Sequence, residues 1–483
     1  MPRGRHDLFP PVEPPGAVQP HGPGRFAMAA RVLDPVLSFV RGLLGNYRRE
    51  VANMGWLFFD RFARVFGNFV IGILAARLLG PASFGGISYA QTVIAFLTLV
   101  VALGLNGVVI KRLVDHPAEA GRTLLTSFAL QFVAMLVVTA ATVSLALFAQ
   151  DDDPYSRIVA IVACGLILRP TETFRYWFEA NVNARRAVIA DNAAFLISGT
   201  AKIAVLYTFR SVEALAWTLV VEQLLGGIGL AIAYATDRSR PGGWKIDLGV
   251  AKELLVGAWP LLLSGLAIAI YMRIDQFVIM SMRGATEMGM YAAAVRFSEM
   301  FYVLPTILAT SFFPRWQAMM RDSGGEHSAA IRTAMYWMVG ISAVIAVALT
   351  LLAGTAIQFL YGEPYARAVP VLQVHIWTGV FVSIGILGNQ WYLSHGLQSW
   401  TLLFTVLGAA ANFGTNLLLV PALGAVGAAI ASLCAQIIST FLADALSAKT
   451  RPLFFIKLEA LVWPLAVLRR RLYPAAKSEG PAS

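Results

Sequence analysis

Charge is scarce in this chain. Asp, Glu, Lys and Arg make up 13% of its 483 residues, hydrophobic residues make up 58%, and the mean hydropathy is +0.67. Soluble globular domains carry about 25% charged residues, so a soluble enzyme is a poor fit. Cysteine is nearly missing. Cys164 and Cys434 are the only two, both in apolar spans, which leaves no disulfide framework and no metal spacing. The chain has no GxxxxGK[ST] phosphate loop and no HExxH sequence, so an ATP-driven pump or a metalloenzyme is unsupported. The N-terminal stretch MPRGRHDLFPPVEPPGAVQPHGPGRF lacks the apolar core of a signal peptide.

What the chain has instead is a hydrophobic, helix-length segment that recurs about twelve times. The spans read as approximately 54–79, 84–110, 123–149, 157–180, 187–208, 212–236, 254–282, 287–314, 331–353, 366–392, 399–420 and 424–447. Each is long enough to cross the ~30 Å hydrocarbon core of a bilayer. Turn signals such as Gly80-Pro81, Asp153-Pro154, Pro241-Gly242-Gly243 and Gly362-Glu363-Pro364 separate them. The expectation is an all-α membrane protein with two lobes of six helices. Residues 51–240 would form the first lobe and 241–448 the second. Residues 1–50 read as a cytoplasmic Pro/Gly-rich tail, or sequence upstream of a later start, followed by an amphipathic segment at 31–50. Residues 449–483 read as a C-terminal tail. Within it, 452–468 is apolar, but Lys457, Glu459 and Pro464 favour an interfacial segment over a further span.

Loop charge orients the spans. One set of loops carries Lys111, Arg112, Arg122, Arg185, Arg186, Arg238, Arg240, Lys245, Lys252, Arg315, Arg321 and Arg332. The opposite set carries Arg157, Arg210, Arg283 and Arg367. By the positive-inside rule both termini face the cytoplasm of a multi-pass protein. The same rule accounts for most of the net charge of +11 without a nucleic-acid partner. A weak repeat is also visible. Phe84-Gly85-Gly86 opens the second span and Met288-Gly289-Met290 opens the eighth. Partners six spans apart imply parallel repeats about an axis along the membrane normal.

Charges inside spans cost several kcal/mol unless they are paired or face a polar cavity. The first span holds Asp60, Arg61 and Arg64, with Asp60, Arg64 and Asn68 on one face. The fourth holds Arg169, Glu172, Arg175 and Glu179 on one stripe, beside Pro170. The fifth and sixth hold Lys202 and Glu222. The seventh holds Arg273 and Asp275, and the eighth Arg296 and Glu299. Neutral ion-pair networks would explain any one pair, and a central polar cavity explains the set. Arg64, Arg169, Arg175, Arg273 and Arg296 are the candidates for binding an anion, because guanidinium stays charged and grips phosphate bidentately. Asp60, Glu172, Lys202, Glu222, Asp275 and Glu299 are candidates for charge pairing or for H+ or Na+ coupling. No other cofactor is implied. A lone His375 reads as a hydrogen bonder between helices, and the terminal tryptophans as an aromatic belt.

Certain runs resemble polysaccharide-lipid flippases. These are Ala76-Arg77-Leu78-Leu79-Gly80-Pro81, Arg273-Ile274-Asp275-Gln276, Leu360-Tyr361-Gly362-Glu363-Pro364-Tyr365, and Asn412 and Asn416 before Pro421-Ala422-Leu423-Gly424. In their order they resemble Wzx-type members of the multidrug/oligosaccharidyl-lipid/polysaccharide (MOP) exporter superfamily. The resemblance implies a non-enzymatic flippase of undecaprenyl-pyrophosphate-linked oligosaccharide in the bacterial inner membrane. It also implies alternating access, and a cavity role for Arg273 and Asp275. Partners would be the lipid-linked glycan, the bilayer, and polymerase or assembly proteins. Three other readings remain. One is a polyprenyl-dependent glycosyltransferase or polymerase, with Asp151-Asp152-Asp153 as its acidic cluster. Another is a cation-coupled drug exporter of the same superfamily. The third is a scaffold for a polysaccharide assembly complex.

Overall fold

A computed structural model describes residues 48–148, 154–303, 305–306 and 327–472, with side chains described from residue 64 and, at the C-terminal end, to residue 463. The tail 1–47, the side chains of Asp60 and Arg61, the Asp151–Asp153 triplet, Arg315 and Arg321 lie outside the described residues. Residues 1–64 and 65–483 are two compact units. In the first, residues 48–64 are helical.

The described residues are mostly helical and contain no strand. The helices are α1 (Arg48–Ala102), α2 (Leu105–Asp115), α3 (Ala120–Phe148), α4 (Pro154–Ala163), α5 (Glu172–Ala180), α6 (Arg185–Thr208), α7 (Val212–Ala235), α8 (Leu248–Met300), α9 (His327–Tyr361), α10 (Ala368–His375), α11 (Thr378–Ser394), α12 (Gln398–Leu423), α13 (Ala425–Thr440) and α14 (Arg451–Leu472). Nine stretches among the described residues are long and apolar enough to cross a membrane. Two of them, Arg64–Asp115 and Leu248–Met300, contain 52 and 53 residues. At 1.5 Å per residue each would measure about 78 Å if straight, far more than one bilayer core. Both fold back at a glycine. The expected fourth span is broken between α4 and α5 by a 3-10 turn, Cys164–Thr171, and is not among the nine. The expected twelve spans therefore do not coincide one to one with the helices.

The two glycine corners are copies of each other. Gly80 has φ 78° and ψ 172°, and Gly284 has φ 77° and ψ −177°. A side chain rarely tolerates this conformation, so glycine is required. One turn further on, the helices that leave the corners cross at backbone contact. A Cβ at Gly85 would lie 1.9 Å from the Ala285 carbonyl oxygen, and a Cβ at Gly289 would lie 2.0 Å from that of Pro81. The contact is symmetric under a shift of 204 residues, Gly80 to Gly284, as the parallel repeat requires. Cross-lobe bonds surround this clasp. The Tyr365 hydroxyl donates to the Ala76 carbonyl at 3.0 Å, Arg77 donates to the Phe359 carbonyl, and the Phe84 and Tyr365 rings meet edge to face.

The opposite end carries the basic loops, which are pinned by carboxylates. Arg112 meets Glu253 and, at 3.1 Å, Glu119, while Arg122 meets Asp247 at 3.4 Å and Arg186 meets Asp237 at 3.3 Å. Asp247 also caps α8, accepting from the backbone N–H of Val250 and Gly249. Those two bonds hold its carboxyl below the usual range. A depressed folded-state pKa contributes stability above the unfolded value near ~4, and that contribution is lost as pH falls below it. The early part of α8 packs with the first lobe: Val250, Leu254 and Ala258 share a core with Leu105, Val109, Trp177 and Leu230. The expected lobe boundary at 240/241 lies in the linker before α8, whereas the apolar packing changes partners around Pro260.

The 452–468 segment falls within α14, which packs along α9. Tyr336 stacks on Trp463, and Arg332 meets Glu459 at 3.3 Å. Lys457, 1% exposed, donates to Asp444 at 2.6 Å and to the Thr440 carbonyl at 2.7 Å, and the Tyr392 hydroxyl donates to the same carboxylate. Removing one partner of a buried pair strands the other charge. Lys457→Met is therefore expected to destabilise the protein by about 3–5 kcal/mol, and Lys457→Met combined with Asp444→Leu to recover most of that loss. Thermal unfolding of the purified variants measures both effects.

Candidate central cavity

Between the glycine corners and the basic loops lies a cavity of about 580 Å³. The limb of α1 before Gly80 contributes Asn68, Phe69 and Gly72, and the limb after it contributes Phe84, Ile87 and Gln91. α6 and α7 add Lys202 and Glu222. The two limbs of α8 add Arg273, Arg296 and Glu299. Five of the charged residues singled out from the sequence thus meet in one chamber.

Their pairing is uneven. Lys202 donates to Glu222, and Arg273 lies 3.6 Å from Glu299. Arg296 has no carboxylate partner among the described residues. It donates to the Gln91 carboxamide at 2.8 Å, and its guanidinium sits 5.0 Å over the Phe84 ring. Room for this pose depends on Gly72, where a Cβ would lie 2.6 Å from Arg296 Nη1. With all groups ionised, the chamber holds three cations against two carboxylates. Such a wall attracts anions, and guanidinium presents the planar fork that phosphate oxygens match.

Asp275 points elsewhere. It is 3% exposed and occupies a side cleft of about 30 Å³, roughly one water molecule in size. There it accepts from the Tyr291 hydroxyl, from Ser432 Oγ at 3.2 Å and from the Gln276 N–H at 2.8 Å. Glu299 lines both spaces and joins the cleft to the chamber. Asn412, which donates to the Tyr271 carbonyl at 3.0 Å, and His375, whose ring bonds Ser298 at 3.0 Å, complete the polar wall. His375 does hold two helices together, α10 and α8.

The fourth-span charges form a separate cluster. Arg175 bonds Glu172 at 2.7 Å and grips Asp191 of α6 with two bonds of 2.9 Å, while Arg169 lies 3.4 Å from Glu172. None of these lines the chamber. Arg64, at the end of the first compact unit, is half-buried. Sequence reading missed Asp191, Gln91 and Gly72. Asp191 sits one turn beyond Arg186-Ala187 in an otherwise apolar run and could have been noticed as a partner for Arg175. The other two carry no charge and gave no signal. Arg175→Ala leaves Asp191 without its cation and Glu172 with Arg169 alone, and is expected to cost about 1–3 kcal/mol of stability. Arg175→Lys should recover only part, since one ammonium cannot grip Asp191 bidentately, and melting temperatures in detergent read the difference.

Comparison with known proteins adds to this geometry. The family described as polysaccharide biosynthesis protein matches residues 73–370. The succinoglycan biosynthesis transport protein ExoT of Rhizobium meliloti is 24% identical over 347 residues, 68% of this chain and 65% of its own length. The probable flippase AglR of Haloferax volcanii is 23% identical over 393 residues, 79% of each chain. Among solved structures, the lipid II flippase MurJ in an inward closed conformation superposes with a TM-score of 0.68 at 14% identity, covering 85% of this chain and 92% of that one. An inward-facing MATE family transporter of the MOP superfamily superposes with 0.66 at 15% identity, covering 86% and 96%. The fold is that of MOP transporters, and the chain belongs to the polysaccharide biosynthesis protein family.

Proposed function

We propose that the protein is a flippase that carries an undecaprenyl-pyrophosphate-linked oligosaccharide across the bacterial inner membrane by alternating access. The observation that carries this reading is Arg296, a chamber-lining cation with no carboxylate partner among the described residues, beside a second arginine at Arg273. A pyrophosphate sugar is the part of the substrate that cannot cross hydrocarbon. The chamber holds that headgroup while the polyprenyl tail stays in lipid. The basic loops face the cytoplasm, so the glycine clasp closes the periplasmic side, and loading occurs from the inside. Rocking of the two lobes then exposes the headgroup to the periplasm. ExoT is named as a succinoglycan biosynthesis transport protein and AglR as a probable flippase, and those names support a glycan substrate and a flipping role over drug export. The excess of cations over carboxylates in the chamber argues in the same direction. The Asp275 cleft is the site we assign to H+ or Na+ coupling. The glycan is handed on to polymerase or assembly proteins.

Deletion of the protein is expected to leave finished repeat units on the cytoplasmic leaflet. Finished units that reach the periplasm but stay unpolymerised would favour a polymerase instead. Arg273→Ala and Asp275→Ala are each expected to abolish surface polymer at normal protein abundance, and wild-type polymer from both would remove the assignment. Arg296→Lys is expected to retain partial transport, because charge survives but the bidentate grip does not.

A further inference from the structure

The 204-residue shift that superposes the glycine corners also pairs positions deeper in the lobes. Gly72 corresponds to Gln276, and Thr92 to Arg296. These four residues make two equivalent cross-lobe contacts. At one, Thr92 of the first lobe donates to the Gln276 carboxamide of the second. At the other, Arg296 of the second lobe lies over Gly72 of the first. The first tie is a neutral bond between neutral groups. In the second, a long cation reaches over a residue with no side chain and bonds Gln91 and Phe84, both on the limb that forms the clasp. The charged residues Arg273, Asp275, Arg296 and Glu299 have Phe69, Ile71, Thr92 and Ala95 as their counterparts. One of the two symmetric ties, and one only, can answer to an anion.

We propose that Arg296 is a latch as well as an anion receptor: bound to Gln91 it ties the lobes together behind the clasp, and a phosphate that takes its guanidinium releases the tie and lets the clasp part. This rests on the reading of the chamber as a pyrophosphate site. Gln91 is a neutral acceptor. The bond to Gln91 has charge on the guanidinium alone, whereas a phosphate brings the opposite charge and oxygens that match the guanidinium fork bidentately, so the anion wins the competition for the same N–H groups. The anion can shift the clasp only by binding the released form better, and the shift is reciprocal. Gln91 and Gly72 are accordingly positioning residues. Gln91 sets how firmly the latch holds, and Gly72 gives it room.

Reciprocity makes the test specific. Spin labels at Ser83→Cys and Thr286→Cys, in a chain carrying Cys164→Ser and Cys434→Ser, report the width of the clasp by pulsed electron spin resonance in nanodiscs. The probe is undecaprenyl pyrophosphate, with undecaprenol as the neutral control. Undecaprenyl pyrophosphate is expected to shift the distances toward longer values, and undecaprenol is not. Gln91→Leu removes the competing acceptor, so the clasp should widen without ligand and the probe should bind roughly 5-fold or more tighter, the lower end of usual coupling. Gln91→Glu supplies a carboxylate for Arg296, so the clasp should stay narrow and binding should weaken. A general loss of structure would move both variants the same way, and that result overturns the latch. A probe that binds wild-type protein without altering the distances also overturns it while leaving the anion site intact. Failure of the probe to bind wild-type protein overturns the site and the latch together.

Discussion

A charge placed in hydrocarbon has to find another charge, a dipole or a polar space, and much of this structure follows from that need. Lys202 meets Glu222, Arg273 meets Glu299, Arg175 is held by Glu172 and Asp191, and Lys457 meets Asp444. These pairs also fix helices to each other or, for Arg273 and Glu299, the two limbs of α8. Lys457 and Asp444 lock α14 onto the end of the second lobe, and Arg175 staples α5 to α6. Arg296 breaks the pattern by having a carboxamide and a ring for company. A residue so poorly compensated has energy to gain from a visiting anion, and neighbours that already neutralise one another do not.

The second organising constraint is backbone geometry repeated in two halves. A reversal at Gly80 and another at Gly284 turn two very long helices into hairpins, and the glycines one turn later let those hairpins meet without side chains between them. The repeat is faithful in backbone and unfaithful in chemistry. Positions that are Phe69, Ile71 and Thr92 in one half are Arg273, Asp275 and Arg296 in the other. At these equivalent positions the first half is apolar or neutral and its twin carries the ionised groups; the charges that the first half brings to the chamber, Lys202 and Glu222, come from other helices and pair with each other.

Much of this was legible in the sequence. Apolar runs near twenty residues long leave little freedom in fold class, and Gly85 and Gly289 announced the repeat. The charges of the fifth to eighth spans had to face something polar, and five of them share one chamber. The fourth span could not be read the same way. Pro170 signalled a kink beside its charged stripe, but not that eight residues from Cys164 to Thr171 wind as a 3-10 turn. A 3-10 helix advances ~20° more per residue than an α-helix, so the stripe is rotated by roughly 160° relative to the turns before it. Arg169 and Arg175 accordingly meet Glu172 and Asp191, apart from Arg296. Asp275 was legible as a buried carboxylate, but not as the tenant of a cleft of its own, because Tyr291 and Ser432 come to it from distant parts of the chain. Gly72 and Gln91 matter through shape and a single acceptor atom, which a survey of charge does not register.

The clasp has a consequence for the membrane as an electrical insulator. A chamber of about 580 Å³ has room for roughly twenty waters. Such a vestibule would conduct protons and salt if a thread of water ran on through the far side. Backbone packed against backbone at Gly85 and Gly289 leaves no width for that thread. Larger side chains there would prop the halves apart, so two of the smallest residues in the protein are what keep this end of the vestibule shut to water.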